Sequence, residues 1–168
     1  WIVIQRRKDG SVNFNRTWAE YKEGFGDLRG EFFLGLEKLH LLTQSQPHEL
    51  FITLTDFSNK TAYARYNNFV IGNEGEFYEM KELGTYSGNA GDSLGNHRNR
   101  KFSTPDRYNN TSGSCAKEFN SGWWFRSCYW VNLNGQYEKS GKANYNTGVE
   151  WITWKYQSLK FTQMMIKP

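Results

Sequence analysis

The stretch CAKEFNSGWWFRSC, residues 115–128, limits what this chain can become more than any other. It holds both cysteines of the 168-residue sequence, with Trp123 and Trp124 between them. Two cysteines this close in sequence suit a local disulfide, worth about 3 kcal/mol if it acts by restricting the unfolded chain. The alternative of a zinc site is poor, because there is no further Cys and the three histidines are scattered. A disulfide is therefore favoured over two free thiols. A loop closed around paired indoles predicts a small aromatic core filled by Trp123, Trp124, Trp151 and Trp154. The surroundings are unusual. Residues 85–115 are rich in Gly, Asn, Ser and Asp and lack periodicity, and residues 116–158 are aromatic-rich and irregular. So long an irregular stretch in a compact domain is functional or is held by something.

The remainder reads as ordinary secondary structure. WIVIQ predicts a strand over 2–6, followed by a turn at Asp9-Gly10. Thr17 is placed to N-cap a short helix over 18–23, with Glu20 completing a capping box and Gly24 ending it. A second helix over about 35–43 carries Leu36, Leu39 and Leu42 on one face. Strands follow at 49–55, 61–69 and 76–83. Their links are too short for crossovers, so they form an antiparallel meander. The terminal LKFTQMMI, residues 159–166, predicts a buried strand that returns to the first sheet. The fold class is α+β.

Charge and composition exclude several functions. The formal charge of +4 is mild. Arg6, Arg7 and Lys8, and separately Arg98, Arg100 and Lys101, are better explained as solvated loops than as a nucleic-acid stripe. No apolar run approaches the ~18 residues of a membrane-spanning helix. The chain opens on WIVIQRR without an initiator methionine or signal peptide, and reads as a piece of something longer. Asn15, Asn59, Asn109 and Asn110 each head an N-glycosylation sequon, where roughly two matches are expected by chance. With the cysteine pair, they favour an oxidising, extracellular setting.

Candidate chemistry is sparse. Glu31 and Glu37 flank a helix start and raise the thought of a glycosidase pair. Glu31 sits beside a turn, however, and Glu37 is expected on a solvated helix face. His40, His48 and His97 have no neighbouring Ser or Cys in a nucleophile setting. An enzyme is not expected. Residues 106–113 offer oxygens but one carboxylate, whereas calcium wants six to eight oxygen ligands, usually with several carboxylates. A polar turn carrying a sugar on Asn109 or Asn110 is the better reading. Tyrosines in irregular loops present an apolar face and a polar tip, which suits a shallow specific pocket.

Several long motifs, in order, resemble one family. They are Trp1-Ile-Val-Ile-Gln-Arg-Arg, Asp9-Gly-Ser-Val-Asn-Phe, Gly24-Phe-Gly, and Gly30-Glu-Phe-Phe-Leu-Gly-Leu-Glu-Lys-Leu-His. Tyr86-Ser-Gly-Asn-Ala-Gly-Asp-Ser-Leu, Phe102-Ser-Thr, Gly122-Trp-Trp-Phe and Asn132-Leu-Asn-Gly-Gln-Tyr continue the series. Together they are similar to the fibrinogen-like C-terminal domain, with the angiopoietin-like, fibroleukin-like and ficolin-like branches equally close. The resemblance implies a central twisted antiparallel sheet with short flanking helices over 1–86. A loop-rich binding subdomain would span 87–158, and residues 159–168 would return to the sheet. A first subdomain with its own disulfide would precede Trp1.

It further implies a secreted, non-catalytic recognition module that needs no cofactor. Its partner would be a cell-surface receptor or extracellular protein or, in the lectin-type alternative, the N-acetyl group of a sugar. Nucleic acid is not among the implied partners, and oligomerisation would use segments upstream of Trp1. Matched position by position, the pocket would be lined by Phe119, the Ser127–Cys128 peptide, Tyr129 and Tyr145, with Asn146 at its edge. Family members often hold the peptide before the second cysteine in cis. Two departures stand out. The family's calcium loop carries two or three aspartates, whereas here Asp106 stands with Tyr108, Asn109 and Asn110, leaving Asp106 and Asn110 as weak metal candidates. Acetyl-binding members have His after the second cysteine, and this chain has Tyr129.

Overall fold

The computed structural model describes residues 1–108, 115–140 and 148–168. In chain order the elements are β1 (Ile2–Arg7), α1 (Trp18–Glu23), β2 (Phe25–Gly26), β3 (Phe32–Phe33), α2 (Leu36–Ser45), β4 (Glu49–Thr55) and β5 (Thr61–Tyr66). They continue with β6 (Val70–Ile71), β7 (Met80–Glu82), β8 (Tyr86–Gly88), α3 (Cys115–Glu118), β9 (Val131–Asn132), β10 (Glu150–Trp151) and β11 (Phe161–Lys167).

One seven-stranded antiparallel sheet, in the order β2-β3-β1-β11-β4-β5-β8, organises the molecule. The C-terminal strand lies at its centre, between β1 and β4, as LKFTQMMI predicts. Register follows from alternation. Leu50, Ile52 and Leu54 face the core, opposite Tyr66, Ala64 and Ala62 on one side and Ile166, Met164 and Thr162 on the other. A one-residue slip would turn this whole set to solvent. In β1 the register shifts between Val3 and Gln5, so Ile4 and Gln5 are both buried.

The helix α1 forms as its sequence directs. The Thr17 side chain accepts from the Glu20 N–H, Glu20 caps back to the Thr17 N–H, and Trp18 and Tyr21 are buried. It ends at Gly24, whose φ of +98° belongs to backbone that glycine alone adopts without strain. A Cβ there would also run into the Leu34 carbonyl. Gly24→Ala is therefore expected to cost about 2 kcal/mol and to lower the melting temperature by roughly 4–8 °C, read by circular dichroism. A shift under one degree would show that the backbone there relaxes freely.

The predicted three-strand meander is not what forms. Residues 76–83 do not pair with β5. The edge partner of β5 is β8, while β7 pairs with β6 in a separate hairpin. The reason is local. Asn73 and Glu76 form a reciprocal cap over a short 3₁₀ turn at Glu74–Glu76, and Phe77 and Tyr78 then take positive φ of 56° and 49°. Two successive left-handed residues turn the chain away from the sheet. Strand β5 stops at Tyr66, three residues earlier than predicted.

Arg7 also departs from expectation. It is not a solvated loop cation but is 1% exposed, with Nη1 donating to the Leu133 and Gly135 carbonyls at 3.0 and 2.6 Å. Its neighbour Gln5 donates to the Leu133 carbonyl and the Asn134 side chain. Two buried side chains of β1 thus anchor residues 133–135 of the loop-rich region to the sheet.

Candidate functional site

The region carrying the cysteine loop is built on buried rings. Trp123, Trp124 and Trp151 are fully buried, and Trp154 is partly buried against the hydrophobic core they belong to. Trp124 stands edge-on to Trp123 at 5.1 Å and to Phe102 at 5.0 Å, and its indole N–H donates to the Tyr78 carbonyl. Ser103 and Trp123 exchange backbone hydrogen bonds of 3.0 and 3.1 Å. The indoles therefore act as the predicted core.

Cys115 and Cys128 form the disulfide, with Cα atoms 5.5 Å apart. Cys115 starts the short helix α3, which delivers Phe119. Arg126 N–H donates to the Cys128 carbonyl at 2.8 Å, closing a tight turn, and the Ser127–Cys128 peptide is cis, as the resemblance implies. The staple joins these two segments. Phe119 meets Tyr129 edge-on, ring centroids 5.0 Å apart, so two of the pocket residues named from the resemblance form an aromatic corner beside Cys128. Tyr145, Asn146, Asn109 and Asn110 lie outside the described residues.

Two buried residues hold this region: Glu150, which the sequence does not single out, and His97, which it weighs only as a catalytic candidate. Glu150, on β10 and fully buried, accepts the Tyr129 hydroxyl at 2.7 Å. Burial and this carboxylate together push the Tyr129 phenol well above its ordinary range. The hydroxyl is thereby committed inward, and Tyr129 offers mainly its ring outward. His97, also fully buried, shares its Nδ1 with the Trp124 carbonyl at 2.7 Å and accepts at Nε2 from the Trp130 and Val131 N–H groups at 3.0 and 3.1 Å. Both contacts are satisfied by the neutral ring with its proton on Nδ1. Desolvation by burial pulls its pKa down to about 4. Beside the corner, the Trp130 side chain is 47% exposed while its backbone is clamped by His97.

Glu31 and Glu37 do not form a catalytic pair. Glu31, expected beside a solvated turn, is fully buried and accepts the backbone N–H groups of Lys8, Asp9, Gly10 and Val12. Glu37 accepts the Tyr78 hydroxyl at 2.6 Å and is not simply a solvated helix residue. Asp106 uses Oδ1 to accept from the Trp18 N–H at the start of α1 and from the Thr104 hydroxyl. Among the described residues no group of three or more His, Cys, Asp or Glu is placed to hold a metal. Asn15 and Asn59 are exposed, and Asn59 Oδ1 accepts from Lys160 Nζ at 2.6 Å.

Comparison with known proteins agrees with this geometry. The model of the C-terminal globular domain of fibrinogen β and γ chains matches residues 1–168. The chain is 47% identical over its full length to fibrinogen C domain-containing protein 1 of Xenopus tropicalis, covering 38% of that protein. It is equally 47% identical to ryncolin-4 of Cerberus rynchops, covering 50% of it. The chain thus spans half or less of the length of these relatives. Among solved structures, the fibrinogen-like globe domain of human ANGPTL2 superposes with a TM-score of 0.93 at 42% identity, over 99% of this chain and 79% of that one. A lamprey fibrin D-dimer complexed with the peptide Gly-His-Arg-Pro-amide superposes with a TM-score of 0.91 at 40% identity, over 99% of this chain and 60% of that one.

Proposed function

Because the chain belongs to the family of fibrinogen C-terminal globular domains, we propose that it is a secreted, non-catalytic recognition module that grips a protein partner, such as a cell-surface receptor, through residues 87–158. The observation that carries this reading is Trp130. It is half exposed and directly follows Tyr129 of the aromatic corner in the chain, while His97 holds its backbone. Rigidly mounted exposed aromatics are the usual anchors of protein interfaces, since they bury much area at little entropic cost. A shallow acetyl pocket would need the corner but not the projecting indole. The disulfide fits an extracellular setting, and no helix of the described residues is long and apolar enough to cross a membrane. The peptide held by the lamprey relative is in keeping with a proteinaceous ligand.

The test is a screen of receptor ectodomains with the purified domain, repeated with Trp130→Ala and Tyr129→Ala. Wild type is expected to retain a partner that each substitution weakens at least about tenfold, a typical anchor effect. Retention on acetylated resin with release by free N-acetylglucosamine, and no ectodomain captured, would instead establish the lectin-type reading. We further propose that the domain works without calcium, because Asp106 Oδ1 is already engaged by Trp18 and Thr104. The melting temperature should be the same in millimolar calcium and in EDTA. A calcium-dependent rise reversed by EDTA would overturn this.

A further inference from the structure

A cavity of about 680 Å³, lined by neither Phe119 nor Tyr129, lies between the loop that follows β1 and the segment Gly135–Lys139. Its volume is that of an ordinary small-molecule site, about 300–1,000 Å³, but its lining is not the usual apolar one. Asn13, Asn15, Asn120 and Gln136, all carrying side-chain amides, are among the residues that line it. Three of them, Asn15, Asn120 and Gln136, are exposed and make no side-chain hydrogen bond within the described residues. An amide offers a donor and an acceptor on atoms two bonds apart, which suits the paired donor and acceptor character of neighbouring sugar hydroxyls.

The other walls point to the same chemistry. Tyr137 spends its hydroxyl on the Lys8 and Lys160 carbonyls, at 2.9 and 2.7 Å, leaving its ring as the surface that can meet C–H groups. The charges do not select an anion. Arg7 faces Glu31 at 3.6 Å, and Lys139 shares the lining with Glu138. The loop wall is firm, because Glu31 fastens four of its backbone N–H groups. At one end the walls nearly touch, since a Cβ on Gly10 would lie 2.8 Å from Lys139 Cε and 3.0 Å from the Tyr137 ring. Asn15 both lines this cavity and heads the sequon Asn15-Arg16-Thr17.

We propose that this cavity seats a neutral, hydroxyl-rich saccharide, supplied either as the first sugars of a glycan carried on Asn15 or as a free oligosaccharide. The cavity is lined by none of Phe119, Tyr129 and Trp130, on which the partner reading rests, and its test is independent of that reading. Chitobiose, the disaccharide at the root of an N-glycan, is titrated calorimetrically into the protein secreted from animal cells. A Phe119→Ala background is used throughout, so that the aromatic corner does not contribute. Asn15→Gln removes the sequon and keeps an amide. If the source is the attached glycan, mass spectrometry finds Asn15 occupied, the parent takes up no chitobiose, and Asn15→Gln does. If the source is free sugar, both bind alike. In either case adding Asn120→Ala and Gln136→Ala to Asn15→Gln lowers affinity at least about tenfold. Both are exposed positions at which the fold should persist, checked by coincident melting curves. No binding by Asn15→Gln at millimolar chitobiose, or unchanged binding in the triple variant, overturns the proposal.

Discussion

Glu31→Ala is expected to lower the stability of the domain by about 3–5 kcal/mol, the range for stripping one partner from a buried ion pair. The carboxylate is fully buried and accepts four backbone N–H groups, at 2.8, 3.1, 3.0 and 3.1 Å, from Lys8, Asp9, Gly10 and Val12. It also faces Arg7 at 3.6 Å, where both side chains are almost wholly withdrawn from water. Burial draws the Arg7 pKa down to about 10 even with Glu31, the largest influence opposing that fall, in place. Removing the carboxylate leaves a buried cation without its counter-charge and four loop donors without an acceptor. Each unmade buried hydrogen bond costs on the order of 1 kcal/mol or more.

Urea unfolding measures this directly. The midpoint should fall for Glu31→Ala and fall less for Glu31→Gln, which keeps an acceptor oxygen. In a double-mutant cycle with Arg7→Met, the two losses should be far from additive, because the second substitution removes the stranded charge. Additive losses would show that the pair is not coupled. Since the same loop forms one wall of the amide-lined cavity, Glu31→Ala should also raise hydrogen exchange at residues 8–12.

The second large effect is the loss of stability on mild acidification through His97. Its folded-state pKa, about 4, lies below the value of about 6.5 for an unfolded histidine. The unfolded chain therefore binds the proton first as pH falls. The stabilisation is complete above about pH 6.5, declines between there and about pH 4, and amounts to roughly 3 kcal/mol across that window. The structural reason is that Nε2 must remain an acceptor for the Trp130 and Val131 N–H groups. A protonated ring would present a donor to two donors. Urea midpoints at pH 7.5 and pH 5 should differ clearly in wild type. His97→Gln should be weaker at pH 7.5 but show a flatter dependence between pH 7.5 and 5. Equal slopes for the two proteins would place the acid sensitivity elsewhere. The half-buried carboxylates Glu20, Glu74 and Glu76 have depressed pKa values and contribute only at lower pH, which keeps the upper window specific to the histidine.

Much of the framework was legible in the order of residues. The capping box of Thr17 and Glu20, the alternation of Glu49–Thr55, the buried terminal strand and the cysteine loop around two indoles are short-range patterns. Helix caps act over three residues and strand faces over two, so a window of ten residues contains the physics that decides them. The placement of 76–83 failed for a related reason. Its apolar content suits a strand, but the two left-handed residues Phe77 and Tyr78 carry no signature that separates them from strand formers. The resemblance to fibrinogen-like domains located Phe119, the Ser127–Cys128 peptide and Tyr129 beside one another, which spacing alone could not.

What the tertiary structure alone decided is how polar groups are answered in the interior. Arg7 and Glu31 meet across 24 positions, Tyr129 and Glu150 across 21, and His97 and Val131 across 34. In the sequence each of these charged or titratable residues looks like a surface residue, because nothing nearby can pay its desolvation. Burying a polar group costs several kcal/mol unless a partner arrives with correct geometry, and only the folded chain brings that partner. The sequence by itself determined β1, α1, α2, β4, the terminal strand β11 and the stapled loop. The fold decided which polar side chains go inside, and through them how the aromatic corner beside Cys128 is held.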